Sequence, residues 1–239
     1  MAWVIFLLVL GVMGALVWAS ASIRSGVYLK ALCEARTEER KVALTFDDGP
    51  DEEMTPRVLA LLRRYRAQAT FFVVGEWVDK YPESVKALHD AGHEVMNHSD
   101  VHPHMSKMSA RDIVAEVTAA NDKIEAVTGV RPTLFRCPYG EYDDNVVGTI
   151  NGMGMQVIQW NVDSLDWKDL DADEIYDRVT SRMEPGSIVL FHNAAKHTPE
   201  ALPSILENLL SEGYSLVPVS QLLLEGEYYI DHTGKQCLQ

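Results

Sequence analysis

The sequence predicts an α/β fold in which about seven parallel strands form a small, distorted (β/α) barrel. Short apolar runs that are typical of buried strands recur along the chain, and helix-like segments separate them. No GxGxxG turn follows a strand. About seven strand–helix units in roughly 200 residues fit a barrel better than an open sheet. A doubly wound open sheet is the alternative fold.

The predicted strands and helices alternate in chain order. The strands cover residues 42–46, 70–74, 93–97, 133–136, 155–160, 188–191 and 215–217. A helix is predicted from Thr55, as the cap, with Pro56 at its first position. Asp171 and Glu174 form a capping-box pattern for a helix up to Met183. Ser109 with Asp112 gives a similar start signal for another helix. Helices are predicted to end at three glycines: Gly92, Gly129 and Gly213.

Length and composition fit one large domain. The chain has 239 residues, of which 47% are apolar and 23% are charged, as in an ordinary globular protein. Twenty-one Lys and Arg against 35 Asp and Glu give a formal net charge of -14, which disfavours nucleic acids and other polyanions as partners. Three cysteines, Cys33, Cys137 and Cys237, are too few for a disulfide framework.

The first residues predict a membrane segment. Residues 2–23 carry no charged side chain, and a bilayer is spanned by roughly 20 apolar residues. Residues 1–23 are therefore predicted to be an uncleaved anchor, with a cleaved signal segment as the alternative. Basic residues follow this segment instead of preceding it, opposite to the usual bias, so its orientation depends on the function. Residues 24–40 are predicted to be a linker, and residues 41–239 the globular domain.

Two motifs place candidate metal ligands after predicted strands. Asp47 and Asp48 are adjacent carboxylates at the end of the first strand, and their charges repel unless a cation neutralises one. His98 and His102 are four residues apart after the third strand. Together with Asp48 they offer two nitrogens and one oxygen, a set typical of a catalytic metal site with open positions. Two solvated loop histidines are the alternative interpretation.

Three further motifs follow later strands: RCPYG at 136–140, DSLDW at 163–167 and LFH at 190–192. Taken singly, each fits a structural role, such as a surface ion pair for Arg136 or a rim aromatic for Trp167. Taken together, all five motifs lie at the C-terminal ends of strands. Barrel enzymes assemble their active sites on that face, from separate loops.

In this order, TFDDGP, HSDVHP, RCPYG, DSLDW and LFH resemble the five motifs of the polysaccharide deacetylase family, which includes chitin, chitooligosaccharide and peptidoglycan N-deacetylases. The similarity covers approximately residues 41–224. The anchored, single-domain layout further resembles sporulation-associated bacterial members. The resemblance implies a distorted (β/α) barrel that hydrolyses N-acetyl groups of amino-sugar polymers and releases acetate. It also implies a single-pass protein of the cell membrane, with the catalytic domain outside the cytoplasm.

The resemblance implies a role for each motif residue. Asp48, His98 and His102 hold a divalent metal ion, usually zinc, although cobalt or another divalent ion also serves. Asp47 is the general base and His192 the general acid. The supporting and substrate-contacting residues are Arg136, which aims Asp47; Asp166, which orients His192; Tyr139, whose backbone N–H binds the oxyanion; and Pro138, Tyr139, Trp167 and Leu190, which contact the substrate.

Three neighbours of the motifs receive structural interpretations. Asp163 is expected to cap or brace its loop, His104 to be a surface histidine, and Cys137 to be a packed spectator. Two other functions stay open at this stage: hydrolysis of a small amide or cyclic imide, and a glycan-binding or sporulation protein that keeps the fold without turnover. The sequence does not distinguish GlcNAc from MurNAc as the sugar.

Overall fold

Short strands and longer helices alternate along the part of the chain that the structure describes. This computed structural model describes residues 11–14 and 30–239. The strands are β1 (Glu34–Ala35), β2 (Lys41–Gly49), β3 (Thr70–Val73), β4 (Glu94–Asn97), β5 (Leu134–Phe135), β6 (Gln156–Val157), β7 (Val162–Asp163), β8 (Ile188–His192), β9 (Ser215–Leu216), β10 (Tyr228–Ile230) and β11 (Lys235–Leu238). From residue 30 onward, the helices are α1 (Met54–Tyr65), α2 (Gly75–Lys80), α3 (Pro82–Asp90), α4 (Ala110–Thr128), α5 (Asp144–Gly152), α6 (Ala172–Thr180), α7 (Thr198–Ser211) and α8 (Val219–Leu222).

The main sheet is parallel and curled, which confirms the predicted distorted barrel. Its hydrogen-bonded order is β6-β5-β4-β3-β2-β8-β7, and β9 pairs with β2 beside this path. Every pairing in this sheet is parallel. The two outermost strands, β6 and β7, are joined directly by residues 158–161. A second, small sheet has the order β1-β11-β10.

Strand β2 shows how the sequence builds the barrel. Its side chains alternate between two faces, as in any strand. Val42, Leu44 and Phe46 belong to the cluster that includes helix residues from α1 and α7. Ala43 belongs instead to a cluster with buried residues of β3, β4, β5 and β8, which is the interior of the curl. Asp47 follows on this inner face, at the C-terminal end of the strand.

Helix boundaries follow the predicted caps with one exception. Ser109 accepts a hydrogen bond from the Asp112 N–H, and Asp171 and Glu174 form a complete capping box, although that helix ends at Thr180. The predicted cap at Thr55 is wrong. Asp51 Oδ1 accepts the backbone N–H groups of residues 53, 54 and 55, and the helix begins at Met54, two residues before the predicted first position.

The N-terminal predictions meet the structure only in part. Apart from the helical residues 11–14, the predicted anchor at 1–23 lies outside the described residues, and it stays a prediction. Among the described residues, no helix is both long and apolar enough to span a bilayer. Residues 31–35, inside the predicted linker, are packed: Leu32 and Ala35 are buried, and Glu34 pairs with Lys235. The packed part of the chain therefore begins before Lys41.

Candidate active site

The predicted site residues gather around one cavity at the C-terminal ends of the parallel strands. Its volume is about 480 Å³. The parallel register sets Asp47 of β2 beside His192 of β8, so residues far apart in sequence become neighbours. The residues that line the cavity are Asp47, Asp48, His98, His102, Tyr139, Gly140, Trp160, Asp163, Trp167, Leu190 and His192.

Asp48, His98 and His102 form a group that fits a divalent metal ion. One potential ligand atom from each lies within 4.8 Å of the others. Asp48 Oδ1 is 3.4 Å from His98 Nε2 and 3.2 Å from His102 Nε2. Donor atoms that share one divalent ion lie about 3 Å apart, so these spacings fit a metal ion held by the three side chains.

The electrostatics of this group also favour a metal. Burial opposes the charged form of Asp48, but hydrogen bonds to the two histidine rings outweigh it and hold the pKa of Asp48 well below its usual range. The Nδ1 atom of His98 is 2.9 Å from the backbone oxygen of Arg136. This contact fixes the ring and leaves Nε2 directed at the site, as is usual for histidine ligands.

Side chains that were not predicted as site residues hold the histidine loop. Asn97 Oδ1 accepts the N–H of Ser99 at 2.7 Å, and the Ser99 hydroxyl accepts the N–H of His102 at 3.0 Å. From helix α4, Glu116 Oε1 accepts the N–H groups of residues 100 and 101 at 2.9 and 2.6 Å. Glu116 was not predicted as a site residue, because an acidic residue on a long helix is typical of a solvated helix face.

Left-handed backbone conformations concentrate in the motif loops. Asp48, Ser99, His102, Tyr139 and Leu165 have φ between 54° and 69°. This region costs a non-glycine residue roughly 1–2 kcal/mol, and such conformations cluster at functional sites. None of these five residues is a glycine, so the residue types themselves do not indicate the left-handed conformation.

Arg136 and Asp47 form a buried ion pair, as the sequence resemblance implied. Arg136 Nη1 donates to Asp47 Oδ1 at 2.7 Å and to the Thr45 hydroxyl at 2.6 Å, while Nη2 donates to the Gln159 backbone oxygen at 3.0 Å. Burial lowers the pKa of Arg136, and the charge of Asp47 opposes that shift. Asp47 Oδ2, the oxygen left free by Arg136, lies 3.8 Å from His98 Nε2, beside the metal group.

His192 and Asp166 form a second pair across the cavity. Asp166 Oδ1 is 2.8 Å from His192 Nδ1, and Asp166 Oδ2 accepts the His192 backbone N–H at 2.8 Å and the Thr198 hydroxyl at 2.6 Å. Burial alone would lower the pKa of His192, but the hydrogen bond and charge of Asp166, with the charges of Asp47 and Asp48, raise it to about 9. The ring is thus a proton donor near neutral pH.

The remaining predicted residues differ in how they meet the cavity. Trp167 and Tyr139 stand on the rim, with 58% and 57% of their surfaces exposed, and Leu190 forms a buried wall. Pro138 is buried and is not among the lining residues, so the structure gives no support for its predicted contact with substrate. Asp163 Oδ1 accepts the Leu165 N–H at 2.9 Å, which braces the loop.

Two other residues matter for the interpretation of the site. Cys137 is fully buried, and burial raises the pKa of its thiol to about 12, which argues against a cysteine nucleophile. Trp160 lines the cavity and was not predicted. A Cβ added at Gly140 would lie 2.8 Å from the Trp160 ring, so the third motif needs glycine for this close approach.

Several known proteins are similar to this chain in sequence and in fold. The sequence profile described as polysaccharide deacetylase matches residues 34–158. The Bacillus subtilis peptidoglycan-N-acetylmuramic acid deacetylase PdaC is 39% identical over 77% of this chain and 39% of its own length. The Listeria monocytogenes peptidoglycan-N-acetylglucosamine deacetylase PgdA is 36% identical over 90% of this chain and 46% of its own. This chain thus spans less than half the length of these two relatives.

A shorter relative and two solved structures extend the comparison. The Sinorhizobium fredii chitooligosaccharide deacetylase is 38% identical over 70% of this chain and 78% of its own. The crystal structure of the Bc1960 peptidoglycan N-acetylglucosamine deacetylase matches with a TM-score of 0.79 and 31% identity, over 81% of this chain and 92% of that one. BA3943, a CE4 family pseudoenzyme from Bacillus anthracis, matches with a TM-score of 0.77 and 34% identity, over 81% of this chain and 68% of that one. By its motifs, its fold and these matches, the chain belongs to the polysaccharide deacetylase family.

Proposed function

We propose that this protein hydrolyses N-acetyl groups on an amino-sugar polymer of the peptidoglycan or chitin type and releases acetate. The observation that carries the proposal is the meeting of three elements at one cavity: the metal-binding group, the Arg136-held carboxylate of Asp47, and the Asp166-held ring of His192. Hydrolysis of an amide needs a nucleophilic water, an oxyanion site and a protonated leaving group, and these elements supply each.

Asp48, His98 and His102 would hold the metal ion. When bound, a divalent ion lowers the pKa of water toward roughly 7 and polarises the amide carbonyl. Zinc is the ion we propose, because the spacing of the three ligand atoms suits it, and cobalt is its expected substitute. Support comes from the donor set itself, two imidazoles and one carboxylate.

Asp47 acts as the general base in this proposal. Its Oδ1 is bound by Arg136, so only Oδ2 is free to take a proton from the attacking water. The hydrogen bond from Arg136 also fixes the direction of the carboxylate, with Oδ2 beside the metal group. The backbone N–H of Tyr139 would then donate a hydrogen bond to the oxyanion that develops on the former carbonyl oxygen.

His192 acts as the general acid. An amine is a poor leaving group until it is protonated, and the His192 imidazolium donates that proton from Nε2, because Nδ1 is bound to Asp166. Trp167 and Leu190 enclose the space for the acetyl group and the adjoining sugar. The alternative of a small amide or cyclic imide as substrate receives no support from the relatives, which are named for peptidoglycan or chitooligosaccharide.

A second candidate function is a glycan-binding protein without turnover. The similarity to a CE4 family pseudoenzyme favours it, since that match is nearly as close as the match to an active relative. The intact pairs at Asp47 and His192 argue against it, because binding alone does not need a positioned base and acid.

We also propose, from the N-terminal sequence, that residues 1–23 anchor the domain outside the cytoplasm.

Acetate release tests the proposal. The protein is loaded with zinc or cobalt and incubated with chitooligosaccharides and with purified peptidoglycan, and acetate is measured over time. We expect release from one or both polymers, its loss in chelator, and its recovery when the metal is returned. Binding to the polymers with no acetate from either, under both metals, would favour the non-catalytic function.

A further inference from the structure

His104, predicted to be a surface histidine, makes organised contacts with the third motif and with Glu141 beside it. Its ring stacks on the ring of Tyr139, with centroids 4.3 Å apart and an interplanar angle of 17°. Its Nδ1 atom lies 3.0 Å from Glu141 Oε2, which also accepts the Ser106 hydroxyl at 3.4 Å. The ring therefore spans from the histidine loop, residues 98–104, to the RCPYG loop, residues 136–140.

Tyr139 is the residue that this contact would restrain. Its backbone has φ 59°, a conformation that costs energy for a residue with a side chain, and its ring is 57% exposed. Few contacts from the protein core can therefore hold it. The two rings that it meets are His104 on one face and the metal-ligand candidate His102, edge-on at 4.5 Å.

The core fixes the base of both loops beside this stack. Met105, next to His104, and Cys137, two residues before Tyr139, are fully buried in the same apolar cluster. Because this cluster holds the base of each loop, the rings of His104 and Tyr139 lie at a defined separation. The stack then determines how the exposed ends of the two loops sit against each other.

We propose that His104 is a positioning residue for Tyr139. Its ring, aimed by Glu141, holds the Tyr139 side chain and with it the left-handed backbone that directs the Tyr139 N–H. The consequence for catalysis rests on the proposed function, in which that N–H binds the oxyanion. The structural part, that the stack stabilises residues 138–141, does not depend on it.

The test compares three variants with the wild type. His104→Ala removes the stack and the Glu141 contact, His104→Phe keeps an aromatic ring without the Glu141 contact, and Glu141→Gln keeps a hydrogen-bond acceptor. His232→Ala is the matched control, since His232 is an exposed histidine in the turn between β10 and β11. Two kinds of measurement are made: amide hydrogen exchange in the segment 138–141 of the metal-free protein, where residues 139–141 carry an N–H and Pro138 does not, and kcat and KM for acetate release.

In His104→Ala we expect exchange at 138–141 to rise about 3- to 10-fold and kcat to fall by a similar factor, because a stacked pair contributes on this scale. KM and metal affinity stay near the wild-type values. His104→Phe restores exchange and kcat to within about twofold, by keeping the stack, and the Glu141→Gln and His232→Ala variants behave like the wild type.

Unchanged hydrogen exchange at 138–141 in His104→Ala would overturn the proposal. The proposal would also fail if His104→Ala weakened metal binding and left exchange in this segment unchanged. Failure of His104→Phe to restore exchange would also contradict it. If exchange rises as expected but the wild type releases no acetate, the positioning role stands and the proposed function fails. The two failures are therefore distinguishable.

Discussion

At the scale of single residues, the site depends on two charged pairs in different surroundings. Arg136 is completely buried, and its partner Asp47 is nearly so. Removing one member of a buried pair leaves an uncompensated charge, which costs about 3–5 kcal/mol. The His192 and Asp166 pair is more accessible, because 18% of the histidine side chain is exposed to the cavity. In the proposed mechanism, the first pair fixes the general base and the second pair holds the general acid.

Arg136→Lys tests whether the geometry of the first pair matters beyond its charge. Lysine keeps the positive charge but lacks the planar fork that reaches Asp47, Thr45 and the Gln159 backbone together. We expect kcat for acetate release to fall at least about 10-fold and the midpoint of thermal unfolding to drop, because the unmade hydrogen bonds are buried. Wild-type kcat and stability in this variant would show that charge alone suffices.

The raised pKa of His192 predicts a pH dependence. Its folded value of about 9 lies above the ordinary 6.5, so the Asp166 contact stabilises the fold fully below pH 6.5, and this contribution is lost as the pH rises through about 9. In Asp166→Asn the pKa of His192 should fall, and the difference in stability from wild type should shrink between pH 6.5 and above 9. NMR titration of the metal-free protein measures the pKa, since a bound cation would itself lower it. Titration of the wild-type ring near 6.5 would contradict the expectation.

At the scale of elements, the sequence was sufficient to predict which residues lie at the strand ends. It was not sufficient to predict the short strands or the side chains that hold the loops after those strands. The long runs of β2 and β8 and the motifs after them were sufficient to place Asp47 and His192 on one face. Strands β1 and β7 have two residues each, too few for an apolar period to show. Glu116, on a long helix, contacts backbone atoms of a distant loop, and such a contact leaves no local pattern.

Helix α4 should therefore control the metal site through Glu116. Glu116→Ala removes the acceptor for the N–H groups of residues 100 and 101, which lie between the candidate ligands His98 and His102. Loss of an outer-shell partner typically lowers metal affinity about 10- to 100-fold, and calorimetric titration with zinc measures this. Glu116→Gln should keep most of the affinity. The control is Glu125→Ala, on the same helix but paired with the surface residue Arg131.

At the scale of the whole molecule, the two ends of the segment formed by residues 30–239 are joined. Strand β1 pairs in parallel with β11, and the Leu32 backbone bonds to residues 157 and 159 near the edge of the barrel. This closure could not be predicted, because residues 24–40 are polar and charge-rich overall. Among residues 30–40, the buried side chains are Ala31, Leu32, Glu34 and Ala35, and their burial depends on partners far away in the sequence.

A fragment that begins at residue 30 should thus be more stable than one that begins at residue 41. Burial of a leucine side chain contributes about 1.5–3 kcal/mol, and the β1 pairing is lost with it. For a domain of this size, we expect the unfolding midpoint of the shorter fragment to be lower by at least about 5 °C. The substitution Leu32→Ala in the longer fragment should account for part of the loss. Equal midpoints for the two fragments would show that residues 30–40 do not contribute.

The central claim, that the cavity is a metal-dependent hydrolytic site with Asp47 as its base, is tested most directly by Asp47→Asn. Zinc affinity and acetate release are measured on the wild type and the variant. The substrate is whichever of chitooligosaccharides and peptidoglycan gives the faster acetate release with the wild type. We expect the variant to bind zinc, since Asp48, His98 and His102 are intact, and to release acetate at least about 100-fold more slowly, the usual contribution of a general base. Wild-type release rates in zinc-loaded Asp47→Asn protein would contradict the claim.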